Sequence, residues 1–530
     1  MKAVRLLLPF LLVAYQTAAD QSTSGRVELV GKINFGIPAD QPGAGGTYTA
    51  ASCDRADVQT AITAELATPL DGDIIAIPAG SCTWTATITA SFTTSVTIQG
   101  AGAVRATDGG SSTTGTDLTN ILDHHATSGH SLLVLTAATG KTVRVTGLKI
   151  YMDGGSTTTQ TGVIVLAGGA NSHRVDHNHF AINADSSFAI SAGSGVAGVI
   201  DHNYFDGAVG NGPFGVYLNN GAGTNGDSNW TAADGFGGSN FLFIEDNRFR
   251  NGQPGDANTG GQRFVFRYNT GIMEFNDSGS GGYVANHGIT SGRGRSTRAL
   301  EFYHNTFSAQ ASGLNKSPIP INGGAALVWG NTLAQYRYVT SLGYTRKDNT
   351  AYNYGSTPSG WGNCTGTTGT VWDGTGSPGA YPCLDQPGRG AGDLLSGTFS
   401  SIINTRTGNA AQVIQALSPI YVWSNSLDPA GFDPIHIVDV SASSNMVAAN
   451  RDYYQQFGTY GEAGTFNGTA GVGEGLLSAR PSTCTAGPGG NTPGVGYWAT
   501  DTQTLYVCTA TNTWSTYYQP YTYPHPLQSA

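Results

Sequence analysis

The sequence predicts an all-β solenoid, a parallel β-helix, and three observations carry that prediction. A short apolar or alternating strand, then Asn, any residue and usually Phe, recurs as HRVDHNHF (173–180), GVIDHNYF (198–205), LFIEDNRF (242–249) and LEFYHNTF (300–307). Weaker copies are FVFRYNTG (264–271) and ALVWGNTL (326–333). The asparagines, Asn178, Asn203, Asn247, Asn269, Asn305 and Asn331, step by 25, 44, 22, 36 and 26 residues. The short steps read as one coil and the long ones as a coil carrying an insertion. Composition agrees: 76 of 530 residues are Gly and only 11% are charged, which suits many short strands joined by tight turns. Each coil would add about 4.8 Å of height, the spacing of paired strands. The Asn is expected to take a tight or left-handed bend and to bond its counterpart on the next coil. The Phe after it is expected to stack inside. An antiparallel sandwich has no need of Asn at one phase of a repeat.

The elements follow in order. Residues 1–19, MKAVRLLLPFLLVAYQTAA, have a positive start, an apolar run from Leu6 to Tyr15 and a small-residue end, the pattern of a secretory signal peptide. No later segment is apolar for long enough to span a membrane, so a secreted, extracellular protein without a membrane span is expected. Residues 20–50 form an N-terminal extension. DVQTAITAELA (57–67) has helical apolar spacing and precedes GDIIAIPAG (72–80) and VTIQGAG (96–102), two strands entering turns. A helix there would cover the open edge of the first coil. The β-helix with this N-terminal cap is assigned to 51–340 and its irregular C-terminal part, with long loops, to 341–479. Residues 480–530 read as a disulfide-stapled hairpin, GVGYWATDTQTLYVCTATNTW, and a Pro/Tyr-rich tail that packs along the outside of the stack. Cys53 and Cys82, Cys364 and Cys383, and Cys484 and Cys508 are neighbours in sequence. An even count in an exported chain favours disulfides, three local staples being expected with the connectivity open.

The succession of a helix, GDIIAIPAG, VTIQGAG and N-x-F coils resembles the right-handed parallel β-helix superfamily typified by pectate lyases, over roughly residues 50–340. That resemblance implies a right-handed coil and a sugar chain lying in a groove on one sheet, walled by long insertions. It also implies an arginine as base, and calcium held by Asp or Glu. The long insertions here are 206–240 and 276–296. The arginine–proline motif of pectate lyases is absent from RGRSTRALEFYHN, so pectate specificity is not implied.

At the end of the second insertion and the start of the strand after it, Arg293, Arg295 and Arg298 fall inside six positions in a chain with only 25 Lys and Arg. Such a cluster calls for an anionic partner: either acids such as Glu301, Asp277 and Glu274, or an acidic ligand bound in forked geometry. Tyr217, Trp230, Phe236 and Tyr283 are candidate platforms for sugar rings, with Arg293 as a substrate contact. Arg295, Arg298 and His287 are candidate catalytic groups, and Asp227 and Asp234 candidate calcium ligands. β-Elimination on a uronate needs a cation at the carboxylate, a base for the adjacent C–H and a donor for the leaving oxygen. His177 and its counterpart His202 sit inside the Asn repeat and read as structural. The net charge of -10 argues against a nucleic-acid partner. The expected function is therefore lyase action on an acidic polysaccharide. The alternatives are a non-catalytic extracellular rod that binds glycans and a glycoside hydrolase on the same fold. Oligomeric state has no signature in the sequence.

Overall fold

The protein is described here by a computed structural model. It covers residues 45–343 except 126–130, 153–161, 169–171, 183–187, 208–213, 222–228, 231, 258–259, 275–282, 287–295 and 310–316. Beyond 343 it covers 372–373, 381–382, 385–390, 416–428, 435–437, 447–458, 464–490 and 492–529. Among these residues, three long parallel sheets of twelve, ten and ten strands dominate. The chain visits them in fixed order: Asp73–Ile77 lies in the first sheet, Gly80–Trp84 in the second, Ile88–Phe92 in the third and Val96–Gly100 in the first again. Each strand pairs in parallel with its counterpart one turn later, as Val199 does with Phe243 and Phe205 with Phe249. A mostly-β chain with this connectivity is consistent with a parallel β-helix.

The interior follows from strand alternation, which sends every second side chain inward. Phe180, Phe205 and Phe249, the Phe of three successive motifs, stack at 5.1 and 4.6 Å between centroids. The asparagines form a ladder. Asn203 N and Nδ2 both donate to Asn247 Oδ1 at 3.0 Å, and Asn247 does the same to Asn269 at 3.0 and 3.1 Å. The ladder runs from Asn178 to Asn331 and on to Asn425, 94 residues further along the chain, so the repeat reaches past the point where its period fades in the sequence. One expectation is corrected. The left-handed residue is not the Asn but the one before it: His177, His202, Asp246, Tyr268, His304 and Ser424 have φ between 53 and 58°. The Asn keeps an ordinary φ because its role is to fill backbone hydrogen bonds that the bend leaves open.

Helix α1 (Arg55–Ala67) buries Val58, Ala61 and Ile62 and packs against the strands of the first coil. Disulfides join Cys53 to Cys82 and Cys484 to Cys508; Cys364 and Cys383 lie outside the described residues. No helix among the described residues is long and apolar enough to cross a membrane. A second apolar cluster covers the outer face of the first sheet. Val199, Phe243, Val265, Leu327, Tyr421 and Trp423 project there against Trp498, Leu505, Val507 and Tyr518 of the C-terminal antiparallel hairpin. The tail continues over that face. Arg267 donates to Tyr521 O and Thr522 O at 2.7 and 2.8 Å, Tyr523 stacks on Tyr268, and Arg174 donates to Leu527 O at 2.7 Å.

Candidate functional site on the second sheet

With the first sheet's outer face covered, a column of polar side chains, partly to fully buried, stands on the outer side of the second sheet. In each N-x-F motif the Phe points inward, so the residue between points outward. Three successive coils place His179, Tyr204 and Arg248 there, and Lys149 occupies the same register one coil earlier. Three coil steps span about 14 Å at the spacing of paired strands. Two residues further along each strand a second outward column reads Tyr151, Ala181, Asp206 and Arg250.

A wall borders this floor. Residues 101–118 leave the coil, form a one-turn 3-10 helix at Asp108–Gly110 and climb along the edge of the sheet. Gly109 N donates to Asp246 Oδ1 at 2.8 Å, and Thr270 Oγ1 donates to Gly109 O at 2.7 Å. Asp108 meets His202 Nε2 at 3.0 Å. Gly110, at φ +67°, lies so close to the ladder that a Cβ would stand 2.1 Å from Asn247 O, which only glycine avoids.

The wall delivers Asp117 to the floor. Its carboxylate accepts from Val104 N at 2.8 Å, contacts Lys149 Nζ at 2.9 Å and lies 3.1 Å from His179 Nδ1 through both oxygens. Burial pulls the Asp117 carboxyl upward, but the Val104 N–H, Lys149 and His179 outweigh it and hold it below its ordinary value. An ionised Asp117 can only accept, so His179 Nδ1 carries the proton and Nε2 the lone pair. Nε2 has no hydrogen-bond partner and is shielded from water. Burial lowers the His179 pKa below 6.5, only partly offset by Asp117, and the imidazole is neutral at pH 7. Its ring stacks on Tyr204 at 4.9 Å and 22°. Burial first, and then the negative charge of Asp206, push the Tyr204 hydroxyl up to about 12, so it is protonated at neutral pH, and it hydrogen-bonds Asp206 and Arg250.

The cations differ in how they are held. Arg250 bridges Asp206 and Glu274 at 2.9 and 2.7 Å. Arg248 instead donates to two carbonyls of the wall, Gly110 O at 3.0 Å and Ser111 O at 2.7 Å. Among the described residues no carboxylate forms an ion pair with it, although Glu274 lies near enough to feel its charge, so the guanidinium is held by carbonyls and not by a salt bridge.

The residues singled out in the sequence lie elsewhere. Trp230, Asp234 and Arg298 do come together, yet Arg298 is 1% and Trp230 0% exposed. Arg298 forms an ion pair with Asp234, donates to Ala232 O at 2.9 Å and lies 5.4 Å over the Trp230 ring. This corrects the expectation of an arginine and a tryptophan open to a groove. Asp234 also takes hydrogen bonds from Ser418 and Tyr517. Phe236 packs on Phe241, Tyr517 and Tyr518, and Tyr217 is buried in the third sheet against Phe188. The physical reason is the second apolar cluster, which draws the 232–241 segment under the hairpin and tail. Glu301 is no partner of Arg298; it accepts from Gly237 N and Tyr518 Oη at 2.7 and 2.8 Å. Tyr283 is half-buried, whereas Asp227, His287, Arg293 and Arg295 lie outside the described residues. Among the described residues no three His, Cys, Asp or Glu side chains gather as a metal cage.

The second-sheet site did leave a signal in the sequence. The variable residue of the motif is His, Tyr and Arg in three consecutive copies and Thr in the next three strands, 270, 306 and 332. The missed step was to treat that position as the outward one. Asp117 left no such signal, since it arrives from a loop 62 residues upstream of His179.

No protein-family model matches this chain, and no curated protein matches it. Among solved structures, the crystal structure of alginate lyase from Paenibacillus sp. str. FPU-7 is similar at 14% identity, over 54% of this chain and 95% of that one, with a TM-score of 0.23. At that score the likeness carries no argument.

Proposed function

We propose that this protein is an extracellular polysaccharide lyase that cleaves uronate-containing chains by β-elimination on the outer face of the second sheet. One observation carries the reading: an imidazole, a phenol and a guanidinium that no carboxylate ion-pairs among the described residues stand on successive coils in a single register. Those are the three groups the elimination requires. Arg248 neutralises the uronate carboxylate and so acidifies the C5–H beside it. His179 Nε2 accepts that proton, and Tyr204 Oη donates one to the C4 oxygen as the bond to the neighbouring sugar breaks. Nε2 is shielded while the site is empty, so its neighbours must give way as the sugar seats; catalytic contacts often tighten only on binding. Asp206 and Glu274, the carboxyls a hydrolase would need as an acid and base pair, are both tied to Arg250, and the hydrolase gains no support from them.

The test is the ultraviolet absorbance of the unsaturated uronate product, on a panel of acidic polysaccharides with calcium or with chelator. Tyr204→Phe, which keeps the stacked ring, is expected to lower kcat by about 10²–10⁴. A variant as active as the parent, or a parent that releases no unsaturated product, overturns the reading.

A further inference from the structure

The geometry of the proposed lyase site carries a consequence for the configuration of its substrate. We infer that it accepts 4-linked uronates of D-gluco or D-manno configuration and disfavours D-galacto, L-gulo and L-ido uronates. The inference rests on the lyase reading and adds stereochemistry to it.

His179 and Tyr204 are outward residues of adjacent strands in one sheet, with rings 4.9 Å apart and nearly parallel. Lys149 and Arg248 extend the same column on either side. Among the described residues the groups that could take or give a proton at this place rise from the floor, apart from one carboxylate. Asp117, from the wall, meets His179 and Lys149 at that same level and is occupied by them. A sugar ring lying on such a floor presents one face to it, and both proton transfers occur at that face.

Elimination breaks the C5–H and C4–O bonds and forms the C4=C5 double bond, conjugated with the carboxylate. The C5 proton goes to His179 Nε2. The C4 oxygen leaves with the proton of Tyr204, and transfer from the imidazolium to the tyrosinate, directly or through water, restores both groups. No oxidant, reductant or cofactor enters the balance. In D-gluco and D-manno uronates the C5 hydrogen and the C4 oxygen lie on the same face of the ring, so one floor serves both transfers. Inverting C4, which gives D-galacto, or C5, which gives L-gulo or L-ido, puts them on opposite faces. One of the two groups would then have to act from above, and misplacement of a proton-transfer partner is costly to rate.

Poly-D-mannuronate and poly-L-guluronate differ only at C5 and make the direct comparison; a 4-linked D-glucuronan and polygalacturonate supply the same contrast at C4. Initial rates of unsaturated-product formation by the full wild-type chain are expected to be at least about tenfold higher on the mannuronan and glucuronan, 1.36 kcal/mol in barrier. Equal or faster cleavage of the guluronan or polygalacturonate would overturn the stereochemical inference and leave the lyase reading standing. No unsaturated product from any of the four would overturn the lyase reading and this inference together.

Discussion

Arg248 and Arg250 lie two residues apart on one strand and face the same way, yet differ in what surrounds them. Two carboxylates neutralise Arg250; two carbonyl oxygens orient Arg248 without neutralising it. Arg248→Ala should therefore cost about 10²–10³ in kcat/KM, the scale of losing one preorganised donor, while Arg248→Lys recovers only part because a point charge cannot reproduce the fork. An Arg250→Ala variant that loses more than Arg248→Ala would contradict that assignment. Asp117 is a positioning residue, acting through His179. Since burial depresses the His179 pKa and Asp117 partly restores it, the acid limb of kcat/KM should have its midpoint below pH 6.5. Asp117→Asn removes the restoring charge and leaves Lys149 beside the ring, so the midpoint should move to still lower pH while the maximal rate falls. A limb that stays put would remove Asp117 from the mechanism.

At the scale of the element, the Asn ladder and the wall loop form one assembly. Each ladder Asn fills backbone groups on its own coil and on the preceding one, and bonds the side chain of the next Asn. Asn247 Nδ2 serves Ile200 O, Glu245 O and Asn269 Oδ1, while its Oδ1 receives Asn203. Asn247→Ala leaves several buried partners open at once and should destabilise by about 2–3 kcal/mol, read from the urea midpoint. Less than half of that would mean the coil relaxes or water replaces the amide. The same coil presents Arg248 and receives the wall through Asp246 and Gly110, so the variant should also raise KM. The left-handed residues preceding each Asn belong to this level as well. His177 and His202 stack at 5.0 Å and contact Asp176 and Asp201, which makes them structural, as their place in the repeat implied.

For the whole molecule, the outer faces of the first and second sheets have been given different fates. The C-terminal tail satisfies groups that would otherwise be stranded on the first sheet: Glu245 accepts from His525 N and Gln528 Nε2 at 2.7 and 2.6 Å, and Arg267 is fully buried beneath Tyr521 to Tyr523. Deleting residues 519–530 should lower the unfolding temperature by several degrees and expose the aromatic cluster to hydrophobic dye, since buried charges lose their partners. The unsaturated-product rate per folded molecule should be largely kept, because the tail does not touch Lys149, His179 or Arg248 and reaches the site only through Asp246, which accepts from Tyr523 Oη and Gln528 Nε2 as well as from Gly109 N of the wall. Retained stability would make the tail dispensable, and a lost rate in a folded variant would tie it to the site.

The strand periodicity, the Asn and Phe phases, the terminal hairpin and the place of the tail were all legible in the sequence, because each follows from alternation along one short segment. The residues of the site were legible only in part. His179, Tyr204 and Arg248 recur at one phase of a local repeat, whereas the arginines 293, 295 and 298 drew attention through local charge density alone. Charge density says nothing of burial, and for Arg298 tertiary packing gave the answer: an ion pair with Asp234 under the second apolar cluster. Asp117, Gly110 and Ser111 join the site through a loop that crosses coils far from it in sequence. Periodicity reports which way a side chain points relative to its own strand. Which face is covered, and which loop arrives over the other, depends on contacts between segments that share no period, and only the tertiary structure decided that.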